Sequence, residues 1–219
     1  MSIAAIEVTD LTVVFRPRFR RTAPVTAVHH LSFAVPRGTI VALTGPNGAG
    51  KSTTLDVIAT QLFPTDGDVR VCGVSVRESA SSVRRLVAHC PAGSASFWPR
   101  LTGRENLETF DAFAGGNPRD RRDRLAGAVE RVGLASDVLV REVRTYSDGL
   151  AQRLNLARAL MRGASVWLLD EPTRSLDAAA RDALWTVVRD AARQDGVSVL
   201  VATHDPAALG GVADDVVRL

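Results

Sequence analysis

The chain has 219 residues, 46% hydrophobic and 23% charged, with a formal net charge of +3. These are the proportions of a globular protein, not of a disordered or membrane-spanning one. Its apolar runs are strand-sized, far below the roughly 20 residues that cross a bilayer. Met1-Ser2-Ile3-Ala4 lacks a signal-peptide layout, so the expectation is a cytoplasmic protein with no direct membrane insertion.

In chain order, segments 3–8, 11–15, 25–35 and 39–44 read as strands punctuated by Pro and Gly. The cluster Arg16, Arg18, Arg20 and Arg21 reads as a solvated loop. One short basic loop makes no extended stripe, so no nucleic acid is expected as a partner. Ile40-Val41-Ala42-Leu43 is a continuous apolar run, as in a strand buried on both faces. A glycine-rich loop at 45–50 follows, then a helix over about 51–62 that Pro64 helps to end. Residues 86–90 read as a strand, with His89 as a strand histidine. His29 and His30 read as structural. Cys72 and Cys90 are too few for a disulfide framework, have no metal-ligand spacing, and read as small strand residues.

From Thr102 to about Gly133 the pattern turns helical and charged. Thr102 followed by Glu105 is a capping-box signature, and Gly115-Gly116-Asn117-Pro118 separates two helices. Helices near 148–161 and 178–192 then alternate with strands at 166–169, 197–202 and 216–219. That alternation predicts a mainly parallel sheet covered on both faces.

Gly45-Pro46-Asn47-Gly48-Ala49-Gly50-Lys51-Ser52-Thr53 fits the phosphate-loop pattern in full, after a strand and opening a helix. Glycines let successive N–H groups curl around phosphate oxygens, and the helix N-terminus adds its dipole. Lys51 is the single lysine among 27 cationic side chains. Its flexible ammonium can reach the β- and γ-phosphates, which the rigid fork of Arg does poorly. Ser52 offers a hydroxyl to Mg²⁺. The motif alone leaves kinases, GTPases and transport ATPases open. Val166-Trp167-Leu168-Leu169-Asp170-Glu171 narrows the choice: Asp170 can hold Mg²⁺, and Glu171 can act as general base on water.

With these motifs, Tyr146-Ser147-Asp148-Gly149, Ser175-Leu176-Asp177 and Thr203-His204-Asp205 make the chain similar to the ATP-binding-cassette (ABC) ATPases. They resemble that family's signature, D-loop and switch histidine, in the right order over nearly the whole chain. The resemblance implies an α/β P-loop NTPase with a RecA-like, mainly parallel sheet core. It adds an N-terminal antiparallel β subdomain (1–38), a core at 39–90 and 163–219, and a helical subdomain at 91–162. It also implies ATP and Mg²⁺ as ligands, and a homodimer or heterodimer of nucleotide-binding subunits. Ser147, Asp148 and Gly149 of one subunit would face the ATP held by the other. Phe15 falls where the family places an adenine-stacking aromatic, although a core Phe ending a strand fits equally.

The sequence departs from the family in two places. The family's glutamine after the strand ending at Cys90 is replaced by Ala92 or Gly93, neither of which can coordinate a metal. Hydrolysis is expected to survive with altered coupling to a partner. Asp148 stands where the family has a glycine or a basic residue, and is expected to point away from phosphate. Phe97 and Trp98 read either as an interface for a membrane partner or as packing for the helical segment. The resemblance favours an exporter ATPase serving a separately encoded transmembrane permease, peripheral on the inner face of the cell membrane. A soluble non-transport ABC ATPase and a regulatory module with weak hydrolysis are the alternatives.

Overall fold

The structure, a computed structural model, describes residues 4–16, 23–91 and 96–219. Arg18, Arg20, Arg21, Ala92 and Gly93 lie outside those residues.

Strand β1 (Ile6–Phe15) pairs antiparallel with β2 (Val25–Val35). The sequence suggested two strands before Phe15; there is one, bent at Asp10, where φ is 52° and the register shifts between Val8 and Leu11. Asp10 accepts a 2.6 Å hydrogen bond from His30 Nδ1 across the pair. Strand β3 (Ile40–Thr44) is wholly buried and leads through the glycine-rich loop into helix α1 (Lys51–Ile58). The helix is shorter than the expected 51–62. Thr60 takes a φ of 60°, and the Gln61 and Leu62 N–H groups both turn back to the Asp56 carbonyl at 2.8 and 3.2 Å. That wrap satisfies a terminal carbonyl and ends the helix before Pro64 is reached.

Strands β4 (Asp66–Val71) and β5 (Val74–Ser75) complete an antiparallel sheet in the order β2-β1-β4-β5. This corrects the expected boundary, which left residues 66–75 inside the nucleotide-binding core. Val69 and Val71 point inward between Asp68 and Arg70, a stretch too short and polar to declare itself. Cys72 lies in the turn between these strands with a φ of 49°, not in a strand. Helix α2 (Ala80–Leu86) precedes strand β6 (Val87–Cys90), where Cys90 is buried.

Helix α3 (Gly103–Phe113) starts on the expected capping box. The Glu105 N–H donates to Thr102 Oγ1 at 3.2 Å, and the Thr102 N–H donates to Glu105 Oε2 at 2.8 Å. Helix α4 (Arg121–Arg131) is tied to α3 by buried Asp111, which accepts from Arg121 at 2.8 Å and Arg124 at 2.7 Å. The short α5 (Ser136–Leu139) leads to α6 (Asp148–Arg162), then to β7 (Val166–Asp170) and α7 (Ala178–Gln194). Strands β8 (Ser198–Thr203) and β9 (Asp215–Arg218) finish a parallel sheet of order β6-β7-β8-β3-β9.

Alternation along the central strands divides the interior in two. Ile40, Ala42, Trp167, Leu169, Val199 and Val201 join the core shared with α3, α4, α6 and α7. Val41, Leu43, Val166, Leu168, Leu200 and Ala202 join the core shared with α1 and the antiparallel sheet. Each buried Val, Leu or Ile among them contributes about 1.5–3 kcal/mol of transfer free energy, which fixes the register against a one-residue slip. The register aligns Thr44 with Thr203 and Asp170 with Ala202. The loop after Thr44, Glu171 after β7 and His204 after β8 therefore leave the sheet at one carboxyl edge, where open α/β sheets bind ligands.

Candidate nucleotide site

The phosphate loop depends on Gly50, the N-cap of α1, with a φ of 93°. A Cβ there would lie 2.2 Å from the Ala27 carbonyl oxygen of β2, so no other residue fits without moving backbone. Lys51, only 6% exposed, folds its ammonium back onto the loop and donates to the Gly45 and Pro46 carbonyls at 2.7 and 2.9 Å. Ser52 follows on the first turn of α1 and lines the same cavity as Asp170.

Asp170 ends β7 half-buried, and its Oδ1 is fully enclosed without a hydrogen-bond partner among the described residues. Burial foremost pushes its carboxyl above the usual range. The nearby Ser52 hydroxyl opposes that shift, the Glu171 charge adds to it, and Lys51 opposes it again. Asp56, one turn beyond Ser52 on α1, is likewise raised by burial and then by the charge of Asp170. An enclosed carboxylate oxygen without a donor beside a serine hydroxyl is a hard-oxygen set that fits Mg²⁺.

Glu171 stands immediately beyond, with a φ of 45°. Its Oε1 accepts from the His204 backbone N–H at 2.9 Å and from His204 Nδ1 at 2.8 Å, and its Oε2 accepts from Thr203 Oγ1 at 3.2 Å. The carboxylate is thus held by the end of β8. The imidazole bond selects the tautomer protonated at Nδ1 and leaves Nε2 as its second polar atom.

Ser147 caps α6 by accepting from the Leu150 N–H at 3.3 Å, and Asp177 caps α7 by accepting from the Ala180 N–H at 2.7 Å. Ser147 and Asp148 are solvent-exposed on the first turn of α6. Phe15 is 45% exposed at the end of β1, which removes its reading as a core residue. Phe97 and Trp98 part company. Phe97 is buried edge-to-face against Phe110, whereas Trp98 is exposed and leans on Phe110 and on exposed Phe113.

A cavity of about 550 Å³ runs from Ser52 and Asp170 to a wall that includes Asp56, Gln61, His89 and Arg158. Sequence reasoning missed Asp56 and Arg158, because neither belongs to a loop motif; helical spacing from Ser52 was the available signal for Asp56. His89 accepts from Gln61 Nε2 at 2.9 Å, and burial, helped by the charge of Arg158, lowers its pKa to about 4. An unfolded histidine protonates near 6.5. Between these values the unfolded chain binds the extra proton, so stability falls as pH drops from about 6.5 towards 4. Urea midpoints measured across that window should decline for the natural chain and decline less for His89→Gln.

Residues 28–174, more than half of the chain, match the family model described as ABC transporter. The chain belongs to the ABC transporter family. It is 38% identical over 178 residues to the daunorubicin/doxorubicin resistance ATP-binding protein DrrA of Streptomyces peucetius, covering 81% of this chain and 53% of DrrA. It is 35% identical over 178 residues to the probable multidrug ABC transporter ATP-binding protein YbhF of Escherichia coli K12, covering 81% of this chain and 30% of YbhF. This ABC family member therefore spans about half the length of DrrA and less of YbhF. Among solved structures, it matches the ATP-binding cassette MJ0796 in a dimeric post-hydrolysis state bound to ADP and Pi. The TM-score is 0.87 at 23% identity, over 98% of this chain and 94% of that one. The likeness establishes the ABC cassette fold: a P-loop core with an antiparallel sheet and a helical segment.

Proposed function

We propose that the chain binds and hydrolyses ATP as the nucleotide-binding subunit of an exporter, powering a separately encoded membrane permease. The arrangement of Glu171 carries the reading. A carboxylate held by the His204 backbone and ring, one residue from half-buried Asp170, faces the same sheet edge as the phosphate loop. DrrA and YbhF, named for drug resistance and multidrug transport, support export over the soluble and regulatory alternatives.

In this reading Gly45 to Thr53 wrap the phosphates with backbone N–H groups, and Lys51 exchanges two loop carbonyls for β- and γ-phosphate oxygens. Ser52 and Asp170 would hold Mg²⁺, which would neutralise developing phosphate charge. Glu171 accepts the proton of the attacking water at its carboxylate, and His204 fixes that carboxylate and reaches the γ-phosphate. Phe15 stacks on adenine. Two copies of the chain assemble head to tail, so that Ser147 and Gly149 of one face the γ-phosphate on the other, with Asp177 beside the junction. The dimeric post-hydrolysis structure of MJ0796 bound to ADP and Pi supports pairing. Exposed Trp98 and Phe113 would supply aromatic anchors for the permease, and in this reading the chain works at the inner face of the membrane.

Phosphate release from ATP and Mg²⁺ by the purified chain tests the enzyme claim, and no release above the buffer rate would end it. Ala92→Gln, which restores the family's residue type, should change the ATPase rate or its Mg²⁺ dependence by severalfold. An unchanged rate and Mg²⁺ profile would show that the missing glutamine has no consequence here.

A further inference from the structure

Helix α1 carries a carboxylate for which the phosphate chemistry above has no use. Asp56 follows Ser52 by four residues, so the two side chains share one face of α1, about 6 Å apart along its axis. Both line the cavity of about 550 Å³, which Asp170 enters from the end of β7. Asp56 is part-buried, and among the described residues its carboxylate has no hydrogen bond and no ion pair. The charge that acts on it is that of Asp170, whose enclosed Oδ1 also lacks a partner. The cations nearby are engaged elsewhere. Arg84 donates to Thr60 Oγ1 at 3.0 Å, Arg158 to the His89 carbonyl at 2.7 Å, and Arg162 to the Arg84 carbonyl. Lys51 is folded onto the Gly45 and Pro46 carbonyls.

Two like charges on one cavity, with no protein donor shared between them, repel each other in a site poorer in water than the surface. A divalent cation removes that repulsion. Mg²⁺ suits the place, because it takes hard oxygens, keeps several waters and is held through one or two carboxylates. We infer that Asp56 is a positioning residue for the divalent cation of the Ser52–Asp170 site: its carboxylate holds the cation's hydration shell on the side away from the phosphate loop, so that the chain takes up the metal before nucleotide. Asparagine, isosteric but neutral, would keep the shape of the wall and remove the attraction. An aspartate with only a structural role would not alter metal affinity when so replaced. This inference rests on the reading that Ser52 and Asp170 hold Mg²⁺.

The test titrates the full-length, nucleotide-free chain and its Asp56→Asn, Asp56→Ser and Asp170→Asn variants with Mn²⁺. This ion stands in for Mg²⁺, and its electron paramagnetic resonance signal reports the unbound fraction. The expected result is one Mn²⁺ per parent chain, a Kd raised roughly 10-fold in Asp56→Asn, and no site in Asp170→Asn. Thermal melting gives a second readout. In EDTA Asp56→Asn should melt no lower than the parent, because a repulsion has gone. At a fixed Mn²⁺ concentration its melting temperature should rise less than the parent's. A structural role alone would lower the melting temperature in EDTA and leave the Kd unchanged, and that outcome overturns the inference. A Kd in Asp56→Asn within about threefold of the parent's overturns it too, as does a parent that binds no Mn²⁺ without nucleotide; neither touches ATP hydrolysis with Mg²⁺. Parent-like Mn²⁺ binding in Asp170→Asn takes the cation away from Asp170, and the underlying reading fails with this one. If Asp56→Asn does not fold, Asp56→Ser is judged by the same criteria.

Discussion

Glu171→Gln should reduce phosphate release by roughly 10²–10⁴-fold while ATP continues to bind. The substitution keeps the shape of the side chain and one acceptor oxygen, so the hydrogen bond from the His204 N–H can persist. It removes the negative charge and the second lone-pair oxygen, and with them the group that takes a proton from water. Among the described residues the hydrogen-bond partners of Glu171 are Thr203, His204, the Ala202 carbonyl and the Arg174 N–H, none of them in the phosphate loop. Binding affinity is therefore expected to change by less than about threefold, a small effect beside the loss of turnover. Rapid-quench measurement of single-turnover hydrolysis, alongside equilibrium binding, separates the two quantities. Turnover within a factor of three of the natural chain would assign the base elsewhere.

Lys51→Ala should fail at the earlier step. The ammonium is nearly enclosed, and in this structure it spends its donors on the Gly45 and Pro46 carbonyls. Each charge-assisted hydrogen bond to phosphate contributes about 1.5–3 kcal/mol, so ATP affinity should fall by roughly 10- to 100-fold. Folding should suffer less, because the two carbonyls it leaves sit at the rim of a loop that water can reach. Lys51→Arg is not a rescue: the planar fork cannot turn within the space left between two carbonyls and the helix start. Titration with a fluorescent ATP analogue, with thermal melting as the control for folding, distinguishes lost binding from lost structure. Full affinity in Lys51→Ala would remove Lys51 from the phosphate site.

Much of this site was legible in the sequence because its residues sit at ends of elements. Asp170 ends an apolar strand, Glu171 and His204 directly follow one, and Lys51 follows one through the glycine-rich loop; the strands themselves were visible as largely hydrophobic runs. Thr102 and Glu105 declared a helix start because capping is a local, four-residue event. The strands at 66–75 were not legible: their polar residues face away from the core, and β1, the partner of β4, lies more than fifty residues earlier in the chain. The end of α1 was misplaced because Thr60, not a glycine, takes the left-handed conformation that closes the helix. The wall formed by Asp56, His89 and Arg158 was likewise invisible, since three separate elements meet there only after folding. Phe97 and Trp98, adjacent in sequence, end on opposite sides of the surface because Phe110 accepts the ring of one from within and of the other from without.

The central claim is that Lys51 supplies half of a site whose other half, Ser147 and Gly149, comes from a second copy of the chain. Light scattering on Glu171→Gln, with and without ATP and Mg²⁺, tests it most directly, because blocked hydrolysis lets the sandwich accumulate. The account predicts a molar mass of one chain without nucleotide and of two with it, and a return to one chain when Ser147→Arg is added. A mass of one chain with ATP demonstrably bound, or a dimer indifferent to both ATP and Ser147→Arg, would contradict it.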